Sequence, residues 1–204
     1  MIQYLGAGFN CTIGDKTFSN FIYTSTSSPP GYEIQAGSVG VTPITTPGNP
    51  GFQWNAPWMA STLSGVQGRD SFFEFQVNSS GAPITDVSLS IGGFGTTGTG
   101  SITVDETVCL GAVFPACSGG TTKTLEVYAN SGGFKAYDEV SFAGVTEVDV
   151  EKDVLIDAGT NGSATLSLVT NQFSEGSTPE PASILLFGSG ALALAGVLRR
   201  KLNH

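Results

Sequence analysis

Between residues 16 and 170, apolar and polar side chains alternate in short runs, each bounded by Gly, Pro, Asn or Ser. A period of two sends successive side chains to opposite faces of an extended chain, so this pattern predicts strands buried on one side. The runs fall at residues 16–23, 37–44, 71–77, 84–91, 100–110, 124–129, 136–142, 145–156 and 163–170. With nine closely spaced strands and no helical period between them, the expected fold is all-β, an antiparallel β-sandwich with jelly-roll-like connections. Residues 29–57 read instead as a long surface loop, because Pro47, Gly48, Asn49, Pro50 and Gly51 break up their aromatics.

At the C terminus the pattern changes abruptly. Residues 182–198 form a seventeen-residue run without a charge, and Arg199, Arg200 and Lys201 follow at once. As a helix this run is roughly 25 Å long, the short end of what spans a bilayer core. An uncharged run ending in three cations predicts a single C-terminal transmembrane helix with its basic end in the cytoplasm. Pro179, Glu180 and Pro181 stand just before it, and each proline disfavours helix in its predecessor, so an extended, accessible segment is expected there. The chain thus divides into an ectodomain at 1–173, a flexible linker at 174–181, a span at 182–198 and a basic tail at 199–204.

Pro179-Glu180-Pro181, the short Gly/Ala/Leu-rich span and the Arg199-Arg200-Lys201 end resemble, in order and spacing, the PEP-CTERM sorting signal of Gram-negative bacteria. The resemblance covers about 27 residues. It implies that an exosortase, an integral-membrane cysteine transpeptidase, recognises the tripeptide and removes the anchor. It also implies a precursor held in the membrane with its ectodomain outside, released to the outer surface or beyond after processing, in an envelope that produces exopolysaccharide. The stretch from Cys11 to Phe21 is similar to the opening of a group of uncharacterised ectodomains that carry this tail, a likeness that brings no activity with it.

Charge narrows the partners. Residues 178–204 hold three of the eight Lys and Arg and one of the seventeen Asp and Glu, so without them the net charge is −11. Such a surface repels phosphate backbones and excludes nucleic acid as a partner, leaving cations and neutral polymers. An exported protein should also begin with a charged region and an apolar stretch, yet the first lysine is Lys16 and no apolar run precedes it. A signal peptide is therefore expected upstream of Met1.

Candidate chemistry is sparse. The single histidine, His204, lies behind the span, which excludes Ser-His-Asp and Cys-His catalysis and His-ligated metals in the ectodomain. No catalytic residue stands out. Carboxylate pairs would suffice for a glycosidase, but no pair is singled out by the sequence. Cys109 and Cys117 flank a Gly- and Pro-containing turn and are a candidate disulfide, with two separate buried thiols as the alternative. On a strand, Glu147, Asp149, Glu151 and Asp153 share one face, where their repulsion would be relieved by calcium or by water and by Lys123, Lys135 and Lys152. Trp54 and Trp58 are candidate glycan contacts if the loop exposes them, and core plugs otherwise. Asp105-Glu106 and Asp138-Glu139 read as turn or solvent-facing charges. Three functional readings follow: a non-enzymatic structural or adhesive matrix protein, a carbohydrate-binding module of the exopolysaccharide matrix, and a carboxylate-dependent glycosidase.

Overall fold

The computed structural model describes residues 1–6 and 8–175. Thirteen strands run through them: β1 Asn10–Ile13, β2 Lys16–Ser28, β3 Gly40–Ile44, β4 Gly51–Ser61, β5 Gly68–Ser79, β6 Ile84–Gly92, β7 Gly95–Gly98, β8 Ser101–Leu110, β9 Thr121–Asn130, β10 Gly133–Lys135, β11 Tyr137–Val145, β12 Glu147–Asp157 and β13 Gly162–Glu175. The helical pieces among the described residues are three short 3-10 turns.

All pairings are antiparallel. One sheet has the order β1-β2-β5-β12-β8-β9-β10; the other has the order β11-β6-β13-β4-β3, with β7 extending the β6 side of β13. The chain passes repeatedly from one sheet to the other, so neighbours in sequence mostly face each other across the core rather than pair. The inward positions of both sheets merge in one apolar cluster, as in a sandwich. Phe18, Phe52, Phe73, Phe75 and Phe173 lie fully buried in it, with most of their rings meeting edge to face or tilted.

Two expectations are corrected here. Residues 29–57 are not one long loop: β3 falls within the strand expected at 37–44, and residues 51–57, where no strand was expected, form the first part of β4. Along β4 the positions Phe52, Trp54, Ala56, Trp58 and Ala60 point inward and alternate with polar or exposed residues, the signature of a half-buried strand. Pro57 is tolerated because it lies where the β4–β13 register shifts, between the pairs Leu168–Asn55 and Leu166–Trp58, so no ladder bond is lost there. The second correction concerns residues 174–181. Ser174 and Glu175 belong to β13: the Glu175 N–H donates to the Gly48 carbonyl at 2.9 Å, and its carboxylate meets the Lys16 ammonium at 2.9 Å.

No helix among the described residues is long and apolar enough to cross a membrane. The expected span at 182–198, with Pro179, Glu180, Pro181, Arg199, Arg200 and Lys201, lies outside those residues.

Candidate functional site

Strand β12 carries the acidic row on its outer face, and its inner face carries Val148, Val150, Lys152, Val154 and Ile156. One member of the row differs from the rest. Asp149 is 1% exposed, although it lies on the outer face of its sheet.

Three pieces of chain fold over the sheet at that point. The first is the loop after β8. Cys109 faces Asp149 in register and is bonded to Cys117, with Cα atoms 5.7 Å apart. The disulfide draws this loop back across the sheet, so that the Phe114 N–H donates to Asp149 Oδ2 at 2.8 Å. The second is a bulge in β2 between Ser19 and Ile22, where Asn20 adopts the left-handed conformation at φ 56°. Asn20 Nδ2 donates to Gln76 Oε1 at 2.6 Å, and Gln76 faces Asp149 from β5. The third is the N-terminal turn, held by contact of Tyr4 with Phe9 and Phe21 at ring separations of 4.7 and 5.3 Å.

Together they enclose a cavity of about 390 Å³. The residues that line it include Asn20, Glu74, Gln76 and Asp149 together with Phe9, Phe21 and Phe114. None of the lining residues is basic. Asp149 Oδ1 is buried with no donor inside ordinary hydrogen-bond distance, and the Gln76 side chain approaches the carboxylate from β5.

Electrostatics follow from that geometry. Burial raises the affinity of Asp149 for its proton and Glu147 adds repulsion, while the Phe114 and Val150 N–H groups and the Gln76 side chain work in the other direction. Glu74 is raised by burial first and then by the charges of Asp149 and Glu151. Glu151 is raised by burial and by Asp149. Farther along β12, burial and the neighbouring Asp70 and Asp105 push Asp153 up to about 7.

The other candidates fall in different places. Glu147, Asp149, Glu151 and Asp153 do share a face, but among the described residues no group of three His, Cys, Asp or Glu is arranged to hold a metal ion. Lys152 does not relieve this row, since alternation turns it into the core. There it is 0% exposed, bonded to Glu106 Oε2 at 2.6 Å and set 4.6 Å from the centre of the Trp54 ring. Glu106 is correspondingly buried rather than solvent-facing, and its second oxygen accepts from Asn171 Nδ2 on β13 at 2.9 Å. Lys135 pairs with Asp138 at 2.8 Å. Trp54 and Trp58 are each 1% exposed, so neither offers a ring face to a sugar. They are inward positions of β4, and Trp58 Nε1 donates to Ser71 Oγ at 3.1 Å.

Residues 177–201 match the family model of the PEP-CTERM protein-sorting motif. The chain carries an exosortase sorting signal. The match takes in Pro179, Glu180 and Pro181 together with Arg199, Arg200 and Lys201. The sorting signal therefore begins two residues after Glu175, where β13 is tied to Lys16. No curated protein matches the chain. Among solved structures, the carbohydrate-binding module TmCBM61 in complex with β-1,4-galactotriose is 12% identical, with a TM-score of 0.37, and 75% of this chain covers 88% of it. A family 32 module of C. perfringens NanJ in complex with galactose is 13% identical, with a TM-score of 0.26 and coverages of 74% and 93%. The mannan-recognising module TmCBM27 is 11% identical, with a TM-score of 0.27 and coverages of 79% and 99%. At these scores the likenesses bear on neither ligand nor site.

The cavity was invisible to pattern reading because its parts are distant in sequence. The signals that could have pointed to it are small: the break in alternation at Asn20, and the flanking of one turn by Cys109 and Cys117.

Proposed function

We propose that this is an exported envelope protein whose precursor is held in the membrane by the span at 182–198. Exosortase processing at the sorting signal then releases it, and its β-sandwich serves the extracellular matrix as a non-enzymatic, structural or adhesive component. The observation that carries this reading is the sorting motif at residues 177–201. The construction of the ectodomain agrees with a passive role, since a polar network of Lys152, Glu106 and Asn171 is sealed in the core and braces the two sheets. The test is the C-terminal mass of the native protein in cells with and without their exosortase. Loss of residues beyond the Pro179–Pro181 region only in the presence of the enzyme supports the reading; an intact Arg199–His204 end in both strains overturns it.

A second reading, a carbohydrate-binding module of the exopolysaccharide matrix, is favoured by one observation. The cavity beside Asp149 is lined by apolar residues together with the polar Asn20, Glu74 and Gln76, the combination that small-ligand sites use.

A further inference from the structure

The sorting tripeptide stands close to the folded sheet. Gly176, Ser177 and Thr178 alone separate Glu175, the last residue of β13, from Pro179. Four residue steps reach at most roughly 14 Å, whatever path they take. Enzymes and binding domains that take up a peptide commonly hold it extended and hydrogen-bond its main chain. The main chain just before the signal is already engaged on both edges. The Phe173 N–H donates to the Pro50 carbonyl and the Glu175 N–H to the Gly48 carbonyl, each at 2.9 Å. On the other edge Phe173, Ser174 and Glu175 pair with Val87, Asp86 and Ile84 of β6.

A charge pair locks this end. Lys16 is 0% exposed, and its ammonium meets Asp15 at 2.6 Å, Glu175 at 2.9 Å and the Ala82 carbonyl at 3.2 Å. Of these partners only Glu175 belongs to β13, and its side chain is 26% exposed, so it can withdraw into water. The β13–β6 register shifts between Ser174 and Glu175, which interrupts the ladder where a strand end would begin to peel. Peeling stops one residue farther in. Phe173 is fully buried against Phe18 and Phe75, at ring separations of 5.7 and 6.0 Å, and cannot leave without opening the core. The separable unit is therefore Ser174 and Glu175, whose release adds roughly 7 Å of reach.

We infer that Ser174 and Glu175 are a latch on the sorting signal: they peel from the sheet before exosortase takes up Pro179–Pro181, and the Lys16–Glu175 bond sets how often they do. The inference rests on the processing reading and adds to it a control exerted by the fold. The latch keeps the folded precursor on the membrane for longer than its signal alone would.

The test is a pulse-chase of the full chain in cells that carry the exosortase, with the mature form counted by intact mass. Glu175→Ala and Lys16→Met are expected to be processed severalfold faster than the unaltered chain. A Gly/Ser insertion of about six residues between Gly176 and Ser177, roughly 20 Å of added reach, should quicken processing and erase the effect of Glu175→Ala. Lys152→Met weakens the core at Glu106 and Trp54 rather than at the end of β13, and it should keep the unaltered rate. Unaltered rates in both clamp variants, an insertion without effect, or equal acceleration by Lys152→Met each overturn the latch while leaving exosortase processing intact. Absence of processing in every variant, the insertion included, overturns the processing reading and the latch with it.

Discussion

Lys152, with its ammonium between Glu106 and the Trp54 ring, is a charge taken wholly out of water. Burial lowers its affinity for a proton, and the adjacent Glu106 carboxylate restores part of it. Removing one partner of such a pair strands the other. Lys152→Met is therefore expected to destabilise the domain by about 3–5 kcal/mol in urea denaturation, whereas Lys152→Met with Glu106→Met should recover most of the loss. Asn171 limits the damage in the double variant because its amide still donates to the Ser88 carbonyl at 3.1 Å. Asp153 makes the opposite kind of statement. Its carboxyl, raised from an ordinary 3.8 to about 7, prefers the proton in the folded chain, so ionising it weakens the fold. Stability contributed here is intact below pH 4 and is lost as the pH rises to 7. Asp153→Asn should then be the more stable protein by about 1–2 kcal/mol at pH 8, after allowance for solvent screening, with little difference at pH 4. A thermal melt at the two pH values checks the sign. The sequence placed Asp153 correctly in an acidic row, but its distance from Asp70 and Asp105 depends on three strands lying side by side.

Strand β4 shows how an element is built against its local sequence. Its first residue, Gly51, is buried against β13, and a Cβ there would collide with the Asn171 carbonyl oxygen. Gly51→Ala is thus expected to destabilise by about 2–4 kcal/mol, with hydrogen exchange quickening along β13 more than along β12. The proline- and glycine-rich approach to β4 hid this strand from pattern reading, because turn residues argue locally for a loop. Its alternating Phe52, Trp54, Ala56 and Trp58 carried the truer signal, and burial between the sheets won over the local preference. The strands found without help, such as β5, β6 and β8, are those whose inward residues are mostly β-branched or aromatic and that contain no proline. Short edge strands were missed for a different reason. β1, β7 and β10 have three or four residues each, too few for a period of two to register.

Across the whole molecule, the end of β13 is clamped to the start of β2. Lys16, fully buried, binds Asp15 at 2.6 Å, Glu175 at 2.9 Å and the Ala82 carbonyl at 3.2 Å, joining the start of β2 to the end of β13. Burial alone would raise Asp15, but the hydrogen bond and charge of Lys16 bring it down to about 2. A lowered carboxyl stabilises the fold above its ordinary 3.8 and loses that contribution as the pH falls towards 2. Lys16→Met should accordingly quicken amide exchange at Gln172–Glu175 at pH 6 and abolish the acid dependence of that exchange between pH 4 and 2. Replacing Pro179, Glu180 and Pro181 together by alanine is expected to leave the basic end on the native protein in exosortase-positive cells, as intact-mass measurement would show.

What the sequence determined by itself were the features encoded by neighbours along the chain: the strand periodicity, the acidic ectodomain and the sorting signal, whose tripeptide, apolar run and basic end are read in order and need no fold. The tertiary structure alone decided which charges are buried. Alternation assigns a residue to a face of its strand, but only the packing of the sheets and the loops above them decides whether that face meets water. Lys152 was turned into the core by that packing, Trp54 and Trp58 were sealed away from any sugar, and Asp149, on a nominally outer face, was roofed by a disulfide loop, a bulge and the N-terminal turn.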